Sequence, residues 1–409
     1  MRTVSEHRQA VAELLPPTPV QRRPLADALG LVLTEEVRAA IPLPPFDNSA
    51  MDGYAVRAAD VAHATPERPI QLPVAEDIPA GRTDELALRP GTAHRIMTGA
   101  PMPAGADAIV RVEDTDGGAA LVRVDRPAAV GTHLRRAGED AAAGAVALPA
   151  GALLGPAQLG LAAAVGVATV EVRRPPNVLV LSTGSELVAP GQPLKYGQIY
   201  ESNGTMLAAA VREAGGRAEQ LSFVPDDVPT FLAVLGERIS ASESDLVLTS
   251  GGVSAGAYEV VKEALADRGV RFVRVAMQPG GPQGAGRLTG FAAAPAAVTL
   301  PGNPVSSQVS FEVFVRPALR AAMGHPRPDR PVVRARLDET LASPPGRQQF
   351  RRGEFDHATG TVRTVGGPGS HLLSALARAN CLIVLPAGEG TEPRQHPEGT
   401  EVEVWILDR

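Results

Sequence analysis

Residues 178–186 read Val-Leu-Val-Leu-Ser-Thr-Gly-Ser-Glu, and residues 246–256 read Leu-Val-Leu-Thr-Ser-Gly-Gly-Val-Ser-Ala-Gly. Each stretch opens as an unbroken apolar run and closes in small polar residues and glycine. A strand buried on both faces has this pattern, because neither row of its side chains meets water. Helix-period segments follow near 203–214, with Met206, Leu207, Ala210 and Val211 on one face, then at roughly 228–239 and near 257–267. The third of these closes at Arg268-Gly269, a helix stop. Strands near 270–276 and 296–300 and a last helix from about 305 to 322 continue the alternation. This predicts a doubly wound α/β unit over residues 176–325 with a mainly parallel sheet covered on both faces. Functional residues belong at the carboxyl edge of such a sheet, where the strands end.

Three loops fall on that edge: Thr183-Gly-Ser-Glu186, Pro225-Asp226-Asp227, and Thr249-Ser-Gly-Gly-Val-Ser-Ala-Gly256 with Glu259 and Lys262 behind it. A Ser/Gly loop between strand and helix exposes backbone N–H groups at the positive end of the helix dipole, which suits phosphate. Carboxylates converging beside it suit Mg²⁺, which takes oxygen ligands together with phosphate oxygens. Taken singly, each loop reads equally well as a tight turn with an acid capping the next helix. Three on one edge favour the ligand site.

Outward from this unit the pattern changes. Thr3 and Glu6 fit a capping box for a helix over 3–15, and a second short helix is expected from Pro24 to Leu33. The prolines of Ile41-Pro-Leu-Pro-Pro45 force an extended connection. Residues 46–145 show short alternating runs and no helix, so a β-rich insertion domain is expected there. Pro156 to Val167 reads as a helix returning to the N-terminal ones, so 1–45 and 146–175 form a discontinuous N-terminal helical domain. After Pro326, alternating runs at Val332 and Glu401 predict a small C-terminal β-barrel or sandwich over 326–409. Aromatics are 3% of the chain, so the cores are aliphatic.

A net charge of −6 argues against a general nucleic-acid surface but leaves room for a small anion held by amides and a few arginines. No run approaches the ~20 apolar residues of a membrane helix. Met1 to Leu15 lacks the apolar core of a signal peptide, so a cytoplasmic protein is expected. The one cysteine, Cys381, excludes an internal disulfide framework and reads as a core strand residue. In the insertion, Phe46-Asp-Asn-Ser-Ala-Met-Asp52-Gly-Tyr-Ala-Val-Arg57 is polar yet carries Phe, Met and Tyr. Thr98, Glu113 and Asp140 sit in comparable Gly-flanked settings. The residues alone say only that this region lines a polar site or forms turns.

The chain resembles the molybdopterin molybdenumtransferase (MoeA) family, which includes the C-terminal domain of gephyrin. The resemblance is carried by Pro42–Arg57, Arg95-Ile-Met-Thr-Gly-Ala-Pro101, Gly138-Glu-Asp140, Ser182–Glu186, Ser250–Gly256, Leu300–Ser307 and Arg347-Gln-Gln-Phe-Arg-Arg-Gly353. It covers essentially the whole chain. It implies a homodimer with each site shared between the α/β unit of one protomer and the insertion of the other. The substrates it implies are molybdate and adenylylated molybdopterin, a pterin dithiolene joined to AMP through pyrophosphate. Insertion of molybdenum would go with Mg²⁺-dependent release of AMP. The catalytic residues it implies are Asp52, Glu186, Asp226 and Glu259, with Glu186, Asp226 and Glu259 on Mg²⁺. Substrate would meet Thr98, Asp140, Thr183, Gly184, Ser250, Gly251, Gly252, Ser254, Asn303, Pro304, Arg347 and Arg352. Other molybdenum cofactor synthesis proteins and acceptor molybdoenzymes are implied partners. The chain departs from the family at Gln278 and Gly281, where many relatives carry lysines, and Arg287, Arg347 and Arg352 are candidate substitutes for their charge. That departure leaves open a paralogue with altered oxyanion specificity, or a carrier or scaffold without catalysis. His371, in Gly369-Ser-His-Leu, reads as a turn residue or a site contact.

Overall fold

The structure is a computed structural model that describes residues 1–224, 227–251, 260–291 and 293–407. It divides into two compact units: residues 1–21, 30–34 and 171–409 form the larger, and residues 22–29 and 35–170 the smaller.

The larger unit is built on a six-stranded sheet. In chain order its strands are β1 (Asn177–Thr183), β2 (Arg217–Val224), β3 (Leu246–Ser250), β4 (Val270–Arg274), β5 (Pro282–Arg287) and β6 (Ala296–Leu300), in spatial order β2-β1-β3-β6-β5-β4. Strands β2, β1, β3 and β6 run parallel in register. The apolar runs are buried on both faces, as their lack of alternation requires. Val178, Val180, Leu246 and Leu248 pack into one core with Leu207, Val211 and Phe311. Their neighbours Leu179, Leu181 and Val247 face the other way, against Phe231, Leu235 and Val261. The covering helices are α1 (Val4–Leu14), α2 (Asn203–Glu213), α3 (Val228–Ser242), α4 (Val260–Ala266) and α5 (Pro304–Ser310). A π-helical turn at Phe311–Val315 continues α5 into the helix Arg316–Ala322.

Strand β5 was not expected, and it changes the sheet: it runs antiparallel to both β4 and β6. Pro-Gln-Gly-Ala-Gly-Arg has little strand propensity, but the place admits little else. A Cβ on Gly284 would lie 2.1 Å from Thr299 Oγ1, and one on Gly286 would lie 1.9 Å from the Gly269 carbonyl oxygen. Helix α1 has both bonds of its capping box, and Val11 sits fully buried in the core of the larger unit. The larger unit takes in residues 1–21.

The C-terminal strands close into a five-stranded barrel. Gln348–Asp356 pairs with Thr361–Thr364 and Cys381–Leu385, Val332–Leu337 pairs with Thr361–Thr364 and Glu401–Ile406, and the last two strands join the ring. Cys381 is fully buried in it.

The smaller unit carries a five-stranded sheet of Ala108–Arg111, Gly53–Val56, Ala93–Ile96, Ile70–Ile78 and Leu121–Val124, with a helix at Pro156–Ala164. The helix expected over 24–33 is a single 3₁₀ turn, Leu25–Asp27. Gly30, at φ +76°, turns the chain before a second turn can form, and Leu29 stays 62% exposed. No described helix is long and apolar enough to cross a membrane.

Candidate functional site

At the carboxyl edge of the large sheet the loops after β1, β3 and β6 open into a cleft of about 980 Å³, closed on further sides by residues 199–203, 274–282, Arg347 and 368–371. Its floor is a chain of hydroxyls and amides. Asn203, at the start of α2, donates through Nδ2 to Ser250 Oγ at 2.8 Å and to the Gly302 carbonyl at 2.6 Å. Ser250 Oγ lies 2.9 Å from Ser307 Oγ, which donates to the Pro301 carbonyl at 2.7 Å. One amide thus ties the end of β3 to the turn after β6. Asn203 Oδ1 has no partner among the described residues.

Beside this chain lies Glu201, only 3% exposed. Its carboxylate accepts from Ser182 Oγ at 2.8 Å, from the Gly204 N–H at 2.5 Å and from Gln220 Nε2 at 3.1 Å. A buried carboxylate is tolerable only with its oxygens so engaged. The packing is close: a Cβ on Gly204 would lie 2.6 Å from Gln220 Nε2. Glu201 fills the N-terminus of α2, so that helix end is already answered by the protein's own negative charge.

The expected residues divide by what their polar atoms already touch. Glu186 is exposed on the cleft wall, and no hydrogen bond or ion pair engages its carboxylate among the described residues. It folds back over Gly184, where a Cβ would lie 2.6 Å from Oε2. Thr183, Gly184, Ser250, Gly251, Asn303 and Pro304 all line the cleft. Gly251 stands at φ +97°, and a Cβ there would meet the Thr183 carbonyl oxygen at 3.1 Å. Its N–H is spent on the Leu300 carbonyl at 3.1 Å, so this amide is not a free phosphate donor. Asn303 stands at the N-cap of α5 but makes no side-chain capping bond. Asp227 settles on the plainer of its two readings: its carboxylate caps α3 by accepting from the Thr230 N–H at 2.9 Å, a bond that holds its pKa below the usual value. Asp226, Gly252, Ser254 and Glu259 lie outside the described residues.

Arg347 is exposed on the cleft, and so is Arg274, which the sequence reading missed; neither has a carboxylate partner among the described residues. Arg352 is placed differently. It is 2% exposed and donates to the carbonyls of Gly367 and Gly369, the latter at 3.2 Å, so it supports the turn whose Gly369, Ser370 and His371 reach the cleft. Burial lowers its pKa. Arg287 donates to Leu14 and Ala294 carbonyls and is not on the cleft wall. His371 is both a turn residue and a cleft contact. Gln278 is half-buried on the wall, and its Oε1 accepts from Gln349 Nε2 at 2.9 Å. That bond uses the acceptor of Gln278 and leaves its NH₂ end without a partner among the described residues.

Within the smaller unit Asp52 stands exposed, accepting from both the N–H and the Oγ1 of Thr98 at 2.7 Å. The backbone bond above all, then the hydroxyl, holds its pKa below the usual aspartate value. Asp140 is exposed, and its N–H donates to the Leu43 carbonyl. Much of the long motif around Asp52 is architectural. Asn48, Ser49 and Tyr54 are buried, and Tyr54 donates to the Gly118 carbonyl at 3.0 Å.

No group of three or more His, Cys, Asp or Glu side chains that could hold a metal forms among the described residues. What the cleft does hold is an acid and two guanidiniums with no ion pair among the described residues, around an interlocked polar floor. Glu201, Asn203 and Arg274 were not foreseen. The cluster Glu-Ser-Asn just before a helix was the readable signal for the first two.

Three family models match along the chain: the MoeA N-terminal region (domain I and II) over residues 2–166, a probable molybdopterin binding domain over 179–321, and the MoeA C-terminal region (domain IV) over 334–407. The chain is 55% identical to molybdopterin molybdenumtransferase 2 of Mycobacterium tuberculosis, over 100% of each chain. It is 40% identical to molybdopterin molybdenumtransferase 1 of the same organism, over 95% of this chain and 96% of that one. Its fold is similar to the crystal structure of the molybdopterin biosynthesis MoeA protein from Pyrococcus horikosii, with a TM-score of 0.81 and 30% identity over 100% of this chain and 99% of that one.

Proposed function

The chain belongs to the MoeA family of molybdopterin molybdenumtransferases, and from that premise we propose how its cleft serves the insertion of molybdenum in molybdenum cofactor biosynthesis. The substrates are molybdate and adenylylated molybdopterin, and AMP is the leaving group. One observation carries the reading: an exposed Glu186 shares the cleft with Arg274 and Arg347, and none of the three is ion-paired among the described residues. A cleft so equipped can take a hydrated divalent cation and an oxyanion together.

Arg347 and Arg274 supply charge for molybdate and for the pyrophosphate, since guanidinium forks suit oxyanions. The NH₂ of Gln278, without a partner among the described residues, adds a neutral donor where the family resemblance implies a lysine in many relatives. Carboxylate oxygens suit Mg²⁺, and Glu186 would hold it from the cleft wall, with Asp226 and Glu259 the further acids proposed for it. Bound there, Mg²⁺ supplies charge neutralisation at the pyrophosphate. Ser182 and Ser250 are buried, and their hydroxyls bond Glu201 and Ser307, so both hold the floor of the cleft. The protein's contribution is position and electrostatics. The site is completed in a cytoplasmic homodimer, in which a second copy brings the acids of its insertion domain, and the product passes to acceptor molybdoenzymes.

AMP release from adenylylated molybdopterin, with molybdate and Mg²⁺ supplied, is the test. Glu186→Gln should lose about a hundredfold or more in rate. Mixing Asp52→Asn chains with Glu186→Gln chains should recover about a quarter of wild-type activity. Half the dimers are then mixed, and each mixed dimer holds one intact site of two. No recovery despite subunit exchange rules out the shared site; full activity in Glu186→Gln rules out the cleft.

A further inference from the structure

The cleft has one wall that the reading above leaves unused. Two short strands, Leu187–Val188 and Ile199–Tyr200, pair in parallel, and Tyr200 lines the cleft at 45% exposure. Tyr200 thus leaves an aromatic side chain half open on the cleft wall. The ring is also held. Its hydroxyl donates to the Gln192 carbonyl at 3.0 Å. On either side, the N–H of Ile199 donates to the Glu186 carbonyl and that of Glu201 to the Val188 carbonyl, both at 2.9 Å. The next side chain, Glu201, is locked by three donors. Tyr200 is therefore a pre-positioned aromatic surface with its polar end answered and part of its ring uncovered. Ile199, 55% exposed, extends that surface along the same wall.

A fixed ring with an open face suits a flat, electron-rich heterocycle, because stacking covers apolar area on both partners and loses little conformational freedom. We propose that Tyr200 is the stacking platform for a planar fused heterocycle of the substrate, an adenine or a pterin. This rests on the function proposed above and adds to it the residue that grips the flat part of the ligand. The phosphate, the oxyanion and the cation are left to the arginines and Glu186.

The test uses the full-length wild-type protein, Tyr200→Ala and Tyr200→Phe, titrated calorimetrically with AMP alone and with 6-hydroxymethylpterin alone. Tyr200→Ala should bind one of the two probes about tenfold or more weakly, and that probe identifies the stacked ring. Tyr200→Phe should bind it within about twofold of wild type, since it keeps the ring and loses only the bond to Gln192. If Phe loses as much as Ala, the hydroxyl's hold on the 189–198 loop is what matters, and the stacking assignment falls. Unchanged binding of both probes in Tyr200→Ala also overturns it, while leaving the function of the cleft intact. If wild type binds neither probe, and adenylylated molybdopterin yields no AMP, the proposed function falls and the platform with it.

Discussion

In the cleft, Ser182, Glu201, Asn203, Ser250 and Ser307 are bonded to one another or to neighbouring main chain, and most of their polar capacity is spent inside the protein. In the smaller unit, Asp52 and Thr98 stand in solvent joined by a single two-pronged contact. The first arrangement is a scaffold that leaves Glu186, Arg274, Arg347 and the NH₂ of Gln278 without ion pairs or amide partners among the described residues. The second is itself the exposed group, with almost nothing behind it. A change in the scaffold should therefore travel, and a change in the exposed pair should stay where it is made.

Paired glycines give the largest expected contrast. Gly251 combines φ +97° with a carbonyl oxygen 3.1 Å from any added Cβ, whereas Gly99 has φ +81° and open space around it. Gly251→Val should cost adenylylated molybdopterin about a hundredfold in affinity, because both backbone strain and displacement of the Thr183 turn fall on the cleft. Gly99→Ala carries backbone strain alone and should lower stability by about 1 kcal/mol. Equal effects from the two would break the contrast.

Asn203→Ala removes donors from Ser250 Oγ and from the Gly302 carbonyl together. At about 1 kcal/mol for each lost bond, the denaturation midpoint should fall by the equivalent of about 2 kcal/mol with an unchanged slope. A loss under about 0.5 kcal/mol would mean that the floor is not interlocked in solution.

Charge placed on the cleft wall should act with intermediate strength. A Cβ on Gly281 would meet nothing closer than 3.5 Å, so Gly281→Lys can be accommodated. One added cation near a dianion contributes roughly 1 kcal/mol at an effective dielectric near 20, so molybdate should bind about tenfold more tightly in the presence of adenylylated molybdopterin. If the variant and wild type titrate alike and tightly, Arg274 and Arg347 already supply the charge.

The smallest effect belongs to Thr98→Val. Asp52 loses one of its two donors, so its pKa should rise toward the usual value while the Thr98 N–H keeps it below. A depressed carboxylate pKa contributes stability above the unfolded value, and this is lost as pH falls through the folded one. The variant's acid titration should accordingly move upward, read by carboxyl ¹³C shifts. Stability at neutral pH should fall only slightly, because Asp52 is exposed. A motionless titration would show that the pair does not hold in solution.

Much of this fold is written locally. Unbroken apolar runs at 178–181 and 246–248 can only be strands covered on both faces, and Thr3 with Glu6 makes a cap from four consecutive residues. Glycine and small polar residues at the strand ends mark the edge where the cleft opens. These are short-range consequences of period and capping, and the sequence by itself determined them. What lay beyond it depended on partners far along the chain. In strand β5, Thr299 and Gly269 leave room only for glycine at 284 and 286, and nothing within Pro282–Arg287 announces that neighbourhood. Arg347 and Arg352 are five residues apart and equally plausible as anion contacts, yet one faces the cleft and the other is buried under the 367–369 turn. Glu201 looks like a surface acid before a helix, and becomes a buried anchor only because Ser182 and Gln220 come from two neighbouring strands. Which side chain faces a ligand and which supports it is settled by packing between distant segments, and there only the tertiary structure decides.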